Sequence, residues 1–548
     1  MNRREAALWL TWAALLALTF VAYNNMLHGE FTYDDKVEVV GNRTLRFLEE
    51  WRLVLAYNWS RPVLIATYAL NYRLAGLDPW PYHVVDLVLQ GLNVGLAMLL
   101  GLRIFGDRPG ALFAAAASAA LWGGHPLNTE AVSYVTGRSE QLAGGLMLLA
   151  CLGFVSWRAE GGLGRLALCG VATAAAFFTK EVAVVLPVAF VLLEWLVVRR
   201  GALGEVRWRG QLLWLVALVA FFALRMRVYG VITTDLPDLR PLDVQLFTQA
   251  EVIWRYVQLA AAPVGQSVFH DHPATGLTAR SALAAVGVLG AGVGAVAVAR
   301  RAPLVSLGVL WWLLCLVPSS SFVPLKETMA EHRPYLALLG LCWIAAEGLR
   351  RLPGSTGLGL LLGLCAVEVG LTRARNTLWQ TELALWGDAV QKNPGSAEAW
   401  YGYGDALRLK SELAEAATAY QRARELNPAL LDATNNLGLV QAQLGQRDEA
   451  EATWRALLLE SPTYCKAHNN LGLLYAREGR PREAAAELRT TLAYCPEDCR
   501  AHRYLGELYG MQLNDREKAV LHLEVFLELC PADRMSEDVR GLLNKLTW

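Results

Sequence analysis

Charged residues are scarce in this chain of 548 residues, and neither sign is in excess. Asp, Glu, Lys and Arg make up 18% of the chain, with 50 basic and 50 acidic residues. Because there is no basic surplus to neutralise phosphates, the balance argues against a nucleic-acid-binding protein. A hydrophobic content of 54% excludes a disordered chain. Nine cysteines are too few for a disulfide scaffold of this length.

The charge that is present is unevenly distributed. Residues 1–372 hold 54 charged residues, and the much shorter stretch 373–548 holds 46. The first stretch is a succession of apolar runs long enough to cross a bilayer. The sequence therefore predicts a multipass membrane domain over 1–372 and a soluble domain over 373–548, since 548 residues exceed one compact domain.

About eleven membrane spans are predicted in the first domain. The run from Ala6 to Met26 follows a basic start and lacks a small-residue cleavage site, so we interpret it as an uncleaved helix with a cytoplasmic N-terminus. The segment 248–264 is interrupted by Glu251, Arg255 and Pro263, which predicts an interfacial or re-entrant helix. The other spans are predicted near 83–102, 110–124, 139–157, 163–179, 182–198, 210–229, 281–299, 303–320, 334–349 and 353–371.

Arginines collect at alternate ends of these spans, as in Arg199-Arg200 and Arg300-Arg301. If these ends face the cytoplasm, the positive-inside rule is obeyed and the number of spans is odd. The loops 28–80, 123–138, 230–280 and 318–333 are then predicted on the non-cytoplasmic side, periplasmic or lumenal, together with the C-terminal domain.

The C-terminal domain has an internal period. Prolines recur at 394, 428, 462, 496 and 531, and glycines recur at 404, 438, 472 and 506. The pattern resembles the tetratricopeptide repeat, a pair of antiparallel helices whose neighbours stack to bury their apolar faces. An all-α fold is predicted, in which polytopic membrane helices precede an α-solenoid with repeats near 397–428, 431–462, 465–496 and 499–531.

Four of the nine cysteines lie at matching places in the last two repeats. Cys465 and Cys499 open the first helix of a repeat, while Cys495 and Cys530 close the second. Because the paired helices are antiparallel, disulfides Cys465–Cys495 and Cys499–Cys530 are geometrically plausible, and they require an oxidising compartment. A Cys495–Cys499 bridge, four buried thiols and a zinc site remain alternatives.

Ionisable residues cluster in the loops that the arginine pattern assigns to one face. Mid-span charge is scarce, which disfavours a transporter. A carboxylate pair such as Asp34-Asp35 is able to hold a metal or to supply a base, or it is a solvated turn. His125 is alternatively a structural anchor, and Lys180-Glu181 alternatively an ion pair at a helix turn. The other members of these clusters are Glu130, Arg138, Glu140, Asp271, Glu331 and Arg333.

The ordered motifs resemble a known family. They read FTYDD, RPVLIATYALNY, YHVVDLVLQGLN, HPLNTEAVSYVTGRSE, TKE and PSSSFVPLKETMAEHRPYLALLG. Together they are similar to the transmembrane and tetratricopeptide-repeat-containing proteins, which are O-mannosyltransferase-like members of the glycosyltransferase C superfamily. The resemblance implies a membrane enzyme that moves a sugar, mannose in this family, from a polyprenyl-phosphate donor to a protein hydroxyl, with Asp34 and Asp35 in catalysis.

The chemistry of that reaction suggests roles for the remaining cluster residues. One carboxylate accepts the proton of the attacking Ser or Thr hydroxyl, while Arg138, Lys180 or Arg333 stabilises the departing lipid phosphate. His125, Glu130, Glu140, Glu181, Asp271 and Glu331 are expected to support them. No cofactor is certain, and a divalent metal is possible. The family's usual Glu-Arg-Tyr run is interrupted here as Glu331-His332-Arg333-Pro334-Tyr335, which leaves the pairing of Arg333 open.

The repeats are predicted to recruit the protein acceptor. Asn436 and Asn470, in the first helices of adjacent repeats, either hydrogen bond an acceptor backbone or serve neighbouring repeats. A second reading of the whole chain is a non-catalytic, membrane-anchored scaffold whose repeats assemble protein partners, because such repeats are by themselves binding modules.

Overall fold

The computed structural model describes residues 3–229, 240–270, 272–321, 324–530 and 535–547, and it contains no β-strand in those ranges. Asp271 and Pro531, which the sequence singled out, lie outside them. The chain divides into two compact units, Met1–Asp388 and Ala389–Trp548. The all-α expectation of membrane helices followed by a tetratricopeptide solenoid is confirmed.

The boundary between the units lies after residue 388 rather than after residue 372. Helix Gly354–Leu378 continues past the predicted boundary, and Glu382 then binds back to the first unit. Its carboxylate lies 2.9 Å from Lys36 Nζ and accepts the backbone N–H of Tyr33 at 2.5 Å. These contacts keep residues 373–388 in the membrane unit.

Each predicted span of the first unit is occupied by a helix. Seven helices of the described residues are long and apolar enough to cross a membrane, against about eleven spans predicted. The four others are only 13 to 15 residues long. At 1.5 Å per residue such a helix covers about 20 Å, less than the roughly 30 Å of hydrocarbon. The helical segments that occupy the spans are Arg3–Tyr23, Pro79–Phe105, Ala111–Gly123, Arg138–Glu160, Leu163–Phe177, Glu181–Val198 (whose regular α-helical part is Leu186–Leu193), Trp208–Tyr229, Ala279–Ala297, Pro303–Leu316, Leu338–Arg350 and Gly354–Leu378.

The segment predicted to be interfacial forms the helix Leu242–Ala261. It is not among the seven helices that are apolar enough to span. Gln245, Gln249 and Glu251 on this helix are buried in the unit. The helix therefore contributes polar contacts to the interior of the unit, which explains why its sequence is interrupted.

Short helical turns carry the loops that meet at the site. They are Pro126–Asn128, Thr129–Val132, Val135–Gly137 and Glu181–Val185. Beneath them, Trp122 Nε1 donates to the carbonyl of Tyr335 at 2.6 Å, and the Tyr335 hydroxyl donates to Gln90 at 2.6 Å. These buried hydrogen bonds tie the loop containing residues 330–335 to the helix bundle.

The second unit consists of helix pairs followed by the helix Ser536–Thr547. Gly404 packs against Tyr420 and Gly438 against Trp454, with no room for a side chain at either position. This close approach of the paired helices is the reason for the recurrent glycine. The pairs are Ala397–Leu409 with Leu413–Leu426, Leu431–Gln443 with Arg447–Glu460, Cys465–Arg477 with Pro481–Tyr494, and Cys499–Met511 with Arg516–Leu529.

Both predicted disulfides are present. Cys465 pairs with Cys495 at a Cα–Cα distance of 6.4 Å, and Cys499 pairs with Cys530 at 6.2 Å. The alternative bridge, free thiols and zinc site are therefore not what the structure contains at these four cysteines.

Candidate active site

A cavity of about 520 Å³ opens between the loops of the first unit. Five cationic and four anionic side chains line it, so that it carries a slight positive excess when His332 is neutral. The charged lining residues are Asp34, Arg61, Glu140, Lys180, Glu181, Arg225, Lys326, Glu327 and Arg333.

The two adjacent aspartates of the first loop have different environments. Asp34 is exposed to the cavity, whereas Asp35 is 0% exposed. Asp35 Oδ1 accepts the backbone N–H and the hydroxyl of Thr136 at 2.7 and 2.6 Å, and Oδ2 accepts the N–H of Thr32 at 3.2 Å. Asp35 therefore anchors the first loop to the loop containing Thr136, and of the two aspartates only Asp34 lines the cavity.

The backbone before Asp34 is held in a left-handed conformation. Tyr33 has a φ of 53°, which costs energy for a residue other than glycine. Its hydroxyl donates to Glu327 Oε1 at 2.8 Å, and its ring lies 5.9 Å from that of Tyr134 and 5.7 Å from that of Trp386. These contacts hold the turn that directs Asp34 into the cavity.

The protonation of the two aspartates follows from their surroundings. Desolvation raises the pKa of Asp34, while a hydrogen bond with Tyr134 acts in the opposite direction. Burial raises the pKa of Asp35 to about 7, against the hydrogen bonds from Thr136 and Thr32. A raised pKa makes Asp34 a stronger base than an ordinary surface carboxylate.

The pair Asp34-Asp35 does not fit a shared divalent ion, because both oxygens of Asp35 are occupied. In the described parts of the chain, no group of three or more His, Cys, Asp or Glu is arranged to hold a metal.

Lys180 and Glu181 both line the cavity, and both are paired. Lys180 Nζ lies 2.7 Å from Glu140 and donates to Ser139 Oγ at 3.0 Å. Glu181 accepts from Arg61 at 2.9 Å and lies 3.6 Å from Arg225. The two are therefore not an ion pair with each other, as one alternative held, but join separate charge networks around the cavity.

Arg333 lines the cavity with its charge uncompensated. Its guanidinium donates to the backbone carbonyls of Thr328 at 3.1 Å and Glu327 at 2.8 Å. Among the described residues no carboxylate forms an ion pair with it. A guanidinium fixed by carbonyls in this way is oriented for an anion.

Arg138 does not reach the cavity, which corrects its predicted role. Its side chain is 0% exposed and forms an ion pair with Asp86 at 2.5 Å. It also donates to Asn71 at 2.7 Å and to the carbonyl of Tyr82 at 3.0 Å. The reason is its position at the start of a helix, from which it points into the bundle.

Glu130, Glu331 and His332 form a buried network behind the cavity. Glu130 Oε1 lies 2.6 Å from His332 Nδ1, and its Oε2 accepts the backbone N–H of Glu331 at 2.9 Å. Glu331 accepts from His270 Nε2 at 2.7 Å and lies 3.6 Å from Arg375. Burial acts to raise the pKa of Glu331, but Arg375 and His270 outweigh it and the pKa is lowered.

His125 has a structural position, as its alternative interpretation held. Its Nδ1 accepts the backbone N–H of Leu127 at 3.1 Å, and its Nε2 lies 3.0 Å from the carbonyl of Ala260. Burial lowers the pKa of His125 to about 4, so the ring is neutral and donates to that carbonyl. His125 connects the loop to helix Leu242–Ala261 and does not line the cavity.

Sequence reasoning missed several lining residues. Arg61, Arg225, Lys326 and Glu327 were assigned no role, and His332 was noted only as an interruption of a motif. Lys326, Glu327 and His332 lie inside the quoted motif that ends in EHRPYLALLG, so that motif was the available signal. Arg61 opens the quoted motif RPVLIATYALNY, whereas Arg225 lies 164 positions later in the sequence; both pair with Glu181.

An apolar groove adjoins the charged cavity, and a second apolar groove adjoins the first. One of about 310 Å³ shares Arg225 with the cavity and is lined by Trp59, Phe178 and Phe221. The other, of about 420 Å³, lies between helices Leu163–Phe177 and Trp208–Tyr229 and shares Phe178 and Phe221 with the first. The two grooves therefore form a continuous apolar path from Arg225 along the membrane helices.

In the second unit, the recurrent asparagines bind neighbouring repeats. Asn470 Nδ2 donates to Asn435 at 2.8 Å, and Asn436 Nδ2 donates to Asp405 at 3.2 Å. This arrangement favours the alternative in which they serve the stacking of repeats. Capture of an acceptor by Asn436 and Asn470 stays a prediction.

Comparison with family models identifies the repeats. Residues 404–445 match a model described as TPR repeat, and residues 435–489 and 469–534 match one described as tetratricopeptide repeat. The second unit carries tetratricopeptide repeats.

Among curated proteins, the chain is similar to protein O-mannosyl-transferases. TMTC3 of Mus musculus is 23% identical over 506 residues, which cover 80% of this chain and 54% of that protein. TMTC1 of Homo sapiens is 34% identical over 158 residues, which cover 26% of this chain and 18% of that protein. The resemblance predicted from the motifs is confirmed. The chain spans about half the length of TMTC3.

Two solved structures align with parts of the chain. ArnT from Cupriavidus metallidurans, bound to undecaprenyl phosphate, is 17% identical with a TM-score of 0.35, over 82% of this chain and 80% of that one. The tetratricopeptide-repeat protein YrrB is 23% identical with a TM-score of 0.25, over 29% of this chain and 81% of that one.

Proposed function

We propose that this multipass membrane protein is a glycosyltransferase that moves a sugar, mannose by analogy with its relatives, from a polyprenyl-phosphate donor to a Ser or Thr hydroxyl of a protein. The observation that carries the proposal is the exposure of the Asp34 carboxylate in a cavity that Lys180 and Arg333 also line. A base and cations in one cavity are what a displacement with a phosphate leaving group needs.

The proposed sugar transfer is a single displacement that needs no covalent intermediate. The acceptor oxygen forms a bond to the anomeric carbon and passes its proton to Asp34. The bond between that carbon and the phosphate oxygen breaks, and its electron pair remains on the phosphate. Arg333 and Lys180 stabilise the charge that develops there. A single displacement of this kind inverts the anomeric configuration.

The apolar path beside Arg225 supports a lipid-linked donor. A polyprenyl chain is an unbroken hydrocarbon, and each buried CH₂ contributes about 0.8 kcal/mol. The grooves lined by Phe178 and Phe221 offer it a binding surface that begins at the charged cavity. The phosphate then lies near the cations while the tail lies along the membrane helices.

The non-cytoplasmic side is proposed for the cavity and for the repeats. Two features support this side independently. The arginine clusters fall at the opposite ends of the spans, as the positive-inside rule requires. The two disulfides of the repeats persist only in an oxidising compartment.

Reconstitution with polyprenyl-phosphate mannose and a Ser/Thr-rich peptide tests the proposal. Asp34→Asn is expected to lower sugar transfer by at least about a hundredfold, because it removes the base, with the melting temperature unchanged. Asp35→Asn is the matched control at the neighbouring position. It is expected to lower the melting temperature, because an amide cannot accept all three hydrogen bonds. Transfer by Asp34→Asn equal to wild type would contradict the proposal.

The scaffold alternative makes a different prediction. If the membrane unit is inert, the wild-type protein transfers no sugar from any polyprenyl-phosphate donor, while its repeats still retain protein partners. Sugar transfer that depends on Asp34 excludes that alternative.

A further inference from the structure

His332 lines the cavity, but the reaction proposed above gives it no role. Its side chain is 27% exposed, and Nδ1 is bound behind the wall to Glu130 at 2.6 Å. Nε2 lies 3.9 Å from Glu140 Oε1, beyond hydrogen-bond distance. Arg333, the next residue in the chain, lines the same cavity. One ring nitrogen is therefore fixed by the protein, and the other is directed toward the substrate space.

The arrangement of carboxylates determines which ring nitrogen carries the proton. Glu130 and Glu331 are 2% and 0% exposed and are adjacent, and the cation Arg375 lies against Glu331. Two neighbouring buried carboxylates do not both ionise readily, so the proton stays on Glu130. Burial, with Glu331 adding to it, raises the pKa of Glu130 to about 8. Glu130 then donates its O–H to His332 Nδ1.

The imidazole itself is neutral under the same conditions. Burial, reinforced by Lys180, lowers the pKa of His332 to about 4. With Nδ1 accepting from Glu130, the single ring proton is on Nε2. A neutral ring with its N–H directed to Glu140 is also the favourable orientation, since a lone pair facing a carboxylate is repelled. The charged groups around the ring are Asp34, Glu130, Glu140, Lys180, Glu327 and Arg333.

We propose that His332 is a catalytic residue whose Nε2–H donates a hydrogen bond to a non-bridging phosphate oxygen of the donor, and that Glu130 is the positioning residue that fixes this tautomer. The inference rests on the proposed function. No proton leaves His332 in the step: the electron pair of the broken bond remains on the phosphate, and the hydroxyl proton goes to Asp34. A preorganised donor aimed at developing charge lowers the barrier without reorganisation.

The tautomer makes the reaction sensitive to alkali. When Glu130 loses its proton to solvent, the ring proton moves from Nε2 to Nδ1, whose N–H then donates a hydrogen bond to the Glu130 carboxylate. Nε2 is left with a lone pair that faces the phosphate. The wild-type enzyme is therefore expected to lose kcat/KM as pH rises through about 8, the pKa of Glu130. Glu130→Gln cannot ionise. Its amide oxygen accepts the N–H of Glu331 and its NH₂ donates to Nδ1, so the Nε2–H tautomer persists at every pH.

The experiment compares pH profiles of sugar transfer and of binding to decaprenyl phosphate in detergent. Glu130→Gln is expected to keep its kcat/KM to higher pH than wild type. His332→Asn is expected to lower kcat/KM at pH 7 by about ten- to a hundredfold, since the range for one such donor is about 10² to 10³ in kcat and Arg333 remains. His332→Gln, whose amide nitrogen lies closer to the Nε2 position, is expected to lose less. Glu347→Gln, which removes a carboxylate that pairs with Arg350 and Arg351 away from the cavity, is the control and should keep the wild-type profile.

Two results overturn the inference: an alkaline limb in Glu130→Gln identical to that of wild type, or His332→Asn as active as wild type. A melting curve for each variant identifies misfolding. The comparison of His332→Gln with His332→Asn then tests the hydrogen bond itself, because both variants remove the same ring and differ in how closely the amide nitrogen approaches the Nε2 position. The binding measurement separates this inference from the proposed function. Tight, pH-dependent binding of decaprenyl phosphate that is lost in His332→Asn, without any sugar transfer by wild type, would refute the proposed reaction but keep the His332 contact. Sugar transfer by the wild type without these pH effects would support the proposed reaction and refute the role of His332.

Discussion

At the scale of single residues, Arg138 illustrates a charge used for structure. The guanidinium and the carboxylate of Asp86 are both 0% exposed, and Tyr68 and Tyr82 lie against the guanidinium. Taking two charges out of water is costly, and the pair is tolerated because Asn71 and the carbonyl of Tyr82 complete the hydrogen bonds of the guanidinium.

Removing Arg138 alone is therefore expected to destabilise the protein strongly. Arg138→Ala leaves Asp86 buried without a cation, which costs about 3–5 kcal/mol. The double variant Asp86→Leu with Arg138→Met is expected to recover much of this loss, because it leaves no uncompensated charge. Thermal unfolding in detergent measures both. An Arg138→Ala protein with normal stability and lost donor binding would instead restore the role predicted from the sequence.

Asp35 makes a prediction about pH. Its pKa is about 7 in the folded protein, above the ordinary value of 3.8, so the folded state holds a proton that the unfolded chain has released. This contribution to stability is fully present below about pH 4 and is lost as pH rises through about 7. Asp35→Asn is expected to show a smaller fall in melting temperature between pH 4 and pH 7 than wild type. Parallel curves for the two proteins would show that Asp35 is ionised in the fold.

At the scale of elements, the repeat glycines set the distance between paired helices. A Cβ added at Gly438 would lie 2.6 Å from Trp454 Nε1, and one at Gly404 would lie 2.8 Å from Tyr420. Gly438→Ala is expected to destabilise by about 1–3 kcal/mol, because the pair must separate. Gly541→Ala is the matched control, since nothing lies within 4 Å of that position on its helix. It is expected to stabilise by up to about 1 kcal/mol. Equal effects would refute the packing argument.

The disulfides act on the same elements. They close loops with sequence separations of 30 and 31, which in the chain-entropy model stabilises by about 3–4 kcal/mol each. Replacing Cys465 and Cys495 together by Ser is expected to lower the melting temperature of the repeat transition without exposing a new reactive thiol. Reduction of the wild type should reproduce the shift. Four free thiols in protein purified from its native membrane would remove both bridges.

At the scale of the whole molecule, the orientation of the chain is the prediction that matters most for function. The arginine pattern predicts that the N-terminus lies in the cytoplasm and that the repeats lie on the opposite side of the membrane. A cysteine introduced near residue 541, or a reporter fused after residue 548, is expected to be accessible from the non-cytoplasmic side only. Accessibility from the cytoplasm would also remove the loops from the proposed side, because their assignment depends on the same count of spans.

The sequence by itself determined the helical class, the positions of the helices and the four repeats. These are local properties, because an apolar run predicts a helix and a proline period of 34 predicts a repeat from residues that are close together in the chain. The cysteine pairs followed from the same period, because the antiparallel helices of one repeat return its ends to each other. The cavity lining was partly available, since Asp34, Lys180 and Arg333 lie in motifs that sequence analysis had already singled out.

Only the tertiary structure decided which member of each cluster faces the cavity. Asp34 and Asp35 differ because Thr136, which lies 101 positions from Asp35, donates two hydrogen bonds to the Asp35 carboxylate. The ion pair with Asp86 holds Arg138 away from the cavity. The contact of its Nδ1 with Glu130, 202 positions earlier in the chain, orients the ring of His332. Burial and hydrogen bonding by distant residues have no counterpart in local spacing. The roles of identical neighbouring residues are therefore assigned by the packing of loops that are remote in the chain.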